Sequence, residues 1–171
     1  VLGGVERALA SDVAPGHRET LTRSMAALAA GQDALDLAAA RLAARIGQTG
    51  ALAGSGHSTV AGLLREHGRS TTQANAVATV ADHMDHYPGA VKAAEAGQVS
   101  FGQLALVMGL SERAVAGRCT RRHPDPADYR ARAEDIMVQA AEAGAGDRTL
   151  KRIGRELPQR ISPREHEEGN R

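Results

Sequence analysis

The sequence predicts an all-α fold, a compact bundle of about seven helices that includes one long N-terminal amphipathic helix. Three observations carry this expectation. The chain is rich in Ala, Leu, Arg, Glu and Gln, which lose little free energy on entering a helix. Two segments, S-T-T-Q and S-F-G-Q, have the S-x-x-Q form that closes a helix N-terminus. No run alternates apolar and polar residues for long enough to demand a strand. Hydrophobic residues make up 42% of the 171 positions, but much of that is Ala. Each buried Ala removes little apolar surface at about 25 cal/mol per Å², so a thin core with close helix contacts is expected. A net charge of only +1 argues against disorder.

Residues 18–48 carry Leu21, Met25, Leu28, Leu35, Leu42 and Ile46 at spacings of three, four or seven, which places them on one face of a long helix. Gly47, Gly50, Gly54 and Gly56 then punctuate a loop. Ser58 is placed to cap a short helix bearing Val60, Leu63 and Leu64, ended by Gly68. Ser70 and Gln73 form the first capping box, opening a helix through Ala74, Val77, Val80, Ala81 and Met84. Proline disfavours helix in the residue before it, so Tyr87-Pro88 ends that helix, and Pro88 starts the next, closed by Gly97. Ser100 and Gln103 open a helix whose Leu104, Val107 and Met108 share a face. Ser111 is read as the start of another short segment, and Asp125-Pro126 as the start of a helix through Tyr129, Ile136, Met137 and Ala140. Asp147 is expected to cap a last helix over 148–157, with Pro158 and Pro163 breaking the pattern beyond it. Residues 1–157 are therefore expected to form one helical domain, and 158–171 a polar tail leading to a further C-terminal portion.

No run approaches the roughly 18 apolar residues of a membrane span. Glu6 and Arg7 interrupt the apolar opening, which removes the secretory-signal reading and makes a cytoplasmic location the expectation. A single cysteine, Cys119, excludes an intrachain disulfide and a multi-cysteine zinc site. The start at Val1 and the charged ending SPREHEEGNR are read as those of an N-terminal piece of a longer protein.

No nucleophile elbow, P-loop, dinucleotide fingerprint or H-E-x-x-H motif occurs, so the chain is read as no enzyme, with no catalytic residue and no cofactor. His83 and His86 stand three apart near a helix end, but two ligands do not make a metal site and no third is identifiable in sequence. They are read as an exposed polar face, and Cys119 with His123 is weaker still as a metal pair. Two Gly-linked helix pairs, around Gly68 and Gly97, have a helix-turn-helix outline, but their second helices carry no basic residue. Charge is uneven along the chain: residues 1–112 carry 8 basic and 10 acidic side chains, whereas 113–171 carry 13 and 10. At 100° per residue, Arg148, Lys151, Arg152 and Arg155 form a narrow stripe opposite Leu150, Ile153 and Leu157. With Arg113, Arg118, Arg121 and Arg122 they are the nucleic-acid-binding candidates, and duplex DNA is the expected partner. The alternative is a protein–protein or self-association module.

From Ser58 to Leu110 the chain resembles the bacterial family called domain of unknown function 222, or the thirteen-E-twelve repeat family. The resemblance rests on Ser58, Leu63 and Leu64, then Gly68 and Ser70 before Ala74, Val77 and Val80, then Pro88, Ala93, Ala94, Gly97 and Ser100. The long first helix and the closing LKRIGREL are similar more loosely. The chain has Gly62 where that family often has Trp or another aromatic. The resemblance implies a helical accessory region preceding an HNH endonuclease module, whose metal-binding and catalytic residues would lie beyond Arg171.

Overall fold

Seven α-helices and no strand are formed by the described residues of the computed structural model, which describes residues 18–53, 56–116 and 127–161. They are α1 (Arg18–Thr49), α2 (Val60–Glu66), α3 (Thr71–His83), α4 (Pro88–Glu95), α5 (Phe101–Ala116), α6 (Ala127–Glu142) and α7 (Asp147–Ile161). A single 3₁₀ turn, Met84–His86, joins α3 to α4.

Local chemistry sets most of the boundaries. At α3, Ser70 Oγ accepts from Gln73 N–H while Gln73 Oε1 accepts from Ser70 N–H, the reciprocal box expected from the sequence. Ser100 and Gln103 repeat it at α5, at 3.3 and 3.0 Å, and Asp33 of α1 accepts from Phe101 N–H at 3.0 Å. Pro88 sits in the first turn of α4, whose N-cap Tyr87 supplies no side-chain bond. Glu134 of α6 does so instead, accepting from Ala90 N–H at 2.7 Å. A Cβ on Gly89 would stand 3.1 Å from that carboxylate, so the close approach relies on glycine. Helices α2, α4 and α6 end alike. The residue after Gly68, Gly97 or Gly144 donates to the carbonyl five back, and each glycine donates three back. Gly68 and Gly97 hold φ of 84° and 72°, open to glycine without penalty.

Five expectations are corrected. Thr59, not Ser58, caps α2, its Oγ1 accepting from Gly62 N–H at 3.1 Å. Helix α1 continues through Gly47 to Thr49. Ser111 starts nothing: it lies inside α5, with an apolar face running from Phe101 to Val115 on both sides of it. Asp147 belongs to the first turn of α7, and the carbonyl of Gly146 accepts from Thr149 and Leu150 in the capping role. Pro158 does not end α7. Near a helix end the missing N–H costs one bond, and burial of Leu157 and Ile161 holds the next turn in place. Arg132 secures it by donating to the Ile161 carbonyl at 3.2 Å, so 158–161 belong to the bundle and not to a tail.

Helix α5 is the hub, packing against α1, α3, α4, α6 and α7. It buries Phe101, Leu104, Val107, Met108, Ala114 and Val115, around which Val77, Val80, Tyr87, Met137, Leu150 and Leu157 complete the core. Helix α1 departs from its predicted orientation. Its buried side chains are Asp36, Leu37, Ala40 and Ala43, while Met25, Leu35 and Leu42 are 66%, 65% and 61% exposed. Small residues can approach α3 closely, and Asp36 meets Arg69 at 2.7 Å, so the core contact uses the Ala-rich face and leaves the leucine stripe outside.

Candidate functional site

Helix α7 presents the sharpest separation of faces. Leu150, Gly154, Leu157 and Ile161 are buried, and Arg148, Lys151, Arg152 and Arg155 are all exposed on the other side. The opposition read from the sequence is therefore realised in space. None of the four cations forms an ion pair with a described carboxylate; elsewhere Arg23 pairs with Glu19, Arg41 with Glu95, Arg69 with Asp36, Arg130 with Glu112 and Arg160 with Glu156, while Arg18, Arg45, Arg65, Arg113 and Arg132 pair with no described carboxylate. Among the described residues, the one side-chain hydrogen bond these four make is Arg155 Nε donating to the Lys151 carbonyl at 3.3 Å. Arg113 is likewise exposed and without such a pair, near the end of α5, the helix against which α7 packs. Arg118, Arg121 and Arg122, with Cys119 and His123, lie outside the described residues.

The α7 stripe is held by a tight crossing. Gly154 packs on Leu110 of α5, where an added Cβ would stand 2.9 Å from Leu110 Cδ1 and 3.0 Å from its Cβ. The absent side chain lets the α7 backbone lie against α5, with Ile153 half-buried beside the contact and Arg155 exposed.

A second cluster was not foreseen as a unit. The 3₁₀ turn after α3 brings the His83 and His86 rings to 6.3 Å between centroids and buries Tyr87 completely. Glu112 of α5 faces them and Arg130 of α6 backs it: Arg130 Nε donates to Glu112 Oε1 at 2.6 Å and Nη2 to Oε2 at 3.3 Å. The Tyr87 hydroxyl donates to Glu112 Oε1 at 3.2 Å. Burial alone would raise the Glu112 carboxyl, but the hydrogen bond and charge of Arg130 outweigh it and hold Glu112 below its ordinary range. Burial, reinforced by the Glu112 charge, pushes the Tyr87 phenol far above its usual value, so it stays a hydrogen-bond donor and is no nucleophile. His86 Nδ1 lies 3.5 Å from Glu112 Oε1, and His83 Nδ1 is buried with no hydrogen-bond partner. One ligand atom each from His83, His86 and Glu112 fall within 4.8 Å of one another. The third group that the histidine pair lacked in sequence thus arrives from another helix. No local spacing announces it, because Glu112 is 25 residues from Tyr87.

No family model, curated protein or solved structure matches the chain.

Proposed function

We propose that the chain is a non-catalytic helical module that docks on the phosphate backbone of duplex DNA through α7. The observation that carries this reading is the row of four exposed cations without carboxylate partners, set on a buried apolar back. What sets this face apart is that four cations fall within one narrow arc of a single helix, with no described carboxylate paired to any of them. Side chains of this kind displace condensed counterions from DNA, and the contact carries no sequence preference by itself. The resemblance to the helical region of HNH-associated proteins adds the expectation that docking positions DNA for a nuclease module of the same parent protein.

Fluorescence anisotropy with a labelled duplex tests it. Binding is expected at low salt, with a log–log salt slope no steeper than roughly −4 for four neutralised phosphates per chain. Replacing Arg148, Lys151, Arg152 and Arg155 together by Gln, which keeps helix propensity close to the original, is expected to abolish it with the circular dichroism spectrum unchanged. A wild-type chain that does not bind even at low salt, or a Gln variant that binds equally well, overturns the reading.

A second reading, self-association, is favoured by a different observation. Leu21, Leu28, Leu35 and Leu42 recur every seventh residue on α1, with Met25, Gln32, Ala39 and Ile46 between them, the two-position repeat of a coiled-coil seam. At 100° per residue this seam lies about 100° round the helix from Asp36, Leu37, Ala40 and Ala43. The occupant that fits such a stripe is the same stripe on a second copy of the chain. Measuring the oligomeric state tests this reading independently of DNA binding, because neither depends on the other's residues.

A further inference from the structure

We infer that His83, His86 and Glu112 form a binding site for one transition-metal ion of the zinc class. Three features converge on it. His83 Nδ1 is buried with no hydrogen-bond partner, a position that costs free energy unless something accepts the nitrogen lone pair or its proton. His86 Nδ1 is 3.5 Å from Glu112 Oε1, long for a hydrogen bond, so the imidazole stands beside the carboxylate without being committed to it. The ligand atoms of all three side chains already lie within 4.8 Å of one another, so small side-chain rotations suffice to close the set.

The surroundings suit a ligating carboxylate. Arg130 and Tyr87 together donate three hydrogen bonds to Glu112 and fix its plane, as the outer partners of metal-bound carboxylates do. A carboxylate offers about four lone-pair directions; Arg130 Nε and the Tyr87 hydroxyl occupy both on Oε1 and Arg130 Nη2 one on Oε2, so the direction left for an ion is on Oε2. Two imidazoles and one carboxylate select the zinc class, with Co²⁺ as its spectroscopic stand-in, over the oxygen-preferring Mg²⁺ and Ca²⁺. His86 is 43% exposed, which provides an entry path and a water-accessible fourth position. Because the ligands come from the α3 end, the 3₁₀ turn and α5, an ion here would tie that turn to the hub helix.

Titration calorimetry of the whole chain with ZnCl₂ tests the site, with MgCl₂ as the contrast and CoCl₂ followed by its visible absorption. Saturable binding of one Zn²⁺ per chain, a rise in melting temperature and a Co²⁺ band of tetrahedral intensity are expected, with no Mg²⁺ binding. His83→Ala and His86→Ala are each expected to weaken Zn²⁺ binding at least tenfold and to remove most of the melting-temperature rise. His86 is the safer change for folding because of its exposure, and Cys119→Ser is expected to leave binding unchanged. The site is overturned if wild-type chain shows no saturable one-to-one binding. It is equally overturned if folded His86→Ala binds as tightly as wild type, or if Cys119→Ser abolishes binding.

Discussion

At the scale of single residues, Glu112 decides more than any other side chain, because it holds Arg130 and Tyr87 and faces both histidines. Its carboxyl titrates below the ordinary value of 4.5, so the ion pair stabilises the fold fully above that value and the contribution is lost as pH falls through the lowered one. Glu134 has the opposite sign: burial raises it, against the backbone bonds from Ala90 and Gly89, and its contribution fades as pH rises through the raised value. Glu112→Gln removes only the first effect. It leaves the half-buried Arg130 without a charged partner, which costs roughly 1.5–3 kcal/mol for a hydrogen bond to a charged group. Urea denaturation midpoints should therefore differ most between variant and wild type near neutral pH and converge as the pH falls below the ordinary carboxylate range and through the lowered value. A difference that stays constant through acid unfolding would contradict the assignment. None of this was legible in the sequence. The histidine pair could be read from its spacing, but Glu112 and Arg130 reach it only through the packing of α5 and α6.

At the scale of elements, what sequence could show depended on whether the largest side chains also make the core contacts. In α7 they do: Leu150 and Leu157 are fully buried, Ile153 lies half-buried beside them, and the basic stripe falls where periodicity placed it. In α1 they do not. Ala40 and Ala43 carry the contact while Leu35 and Leu42 face outward, and a pattern weighted by hydrophobic size chose the wrong face. Capping boxes were legible because their partners lie three residues apart, whereas the cap on α4 comes from Glu134, 44 residues away from Ala90. Pro158 misled because its local rule yields to burial of the turn that follows. Gly154 carried no sequence signal, yet its packing makes a sharp prediction. On helix propensity alone Gly154→Ala would gain about 1 kcal/mol. The new Cβ would meet Leu110 at 2.9–3.0 Å, including its Cβ, which no rotamer change moves away. Overpacking of this kind costs typically 1–3 kcal/mol, so Gly154→Ala should lower the melting temperature. A higher one would show that α7 does not lie so close to α5.

At the scale of the whole molecule, the bundle and the leucine stripe of α1 are two separate structures on one chain. No side chain of residues 18–35 is buried, although the full helix of 32 residues is about 48 Å long. Its apolar seam is left largely in water at Met25, Leu35 and Leu42, and a stripe of that kind argues for a partner. A symmetric dimer satisfies the seam with no other component, since each stripe supplies both the knobs and the holes, and Gln32 at an inner position favours one register. Such a dimer would carry two α7 stripes, and a duplex able to reach both would bind the second at a raised effective concentration. Leu35→Gln with Leu42→Gln tests this with little risk to folding, because both side chains are already more than half exposed. Sedimentation velocity of the wild-type chain should show a monomer–dimer equilibrium that depends on concentration. The double variant should remain monomeric with its bundle intact, and should bind long duplexes more weakly while retaining binding to short ones. A wild-type chain that is monomeric at every concentration removes the dimer, and a double variant that still dimerises moves the interface away from α1.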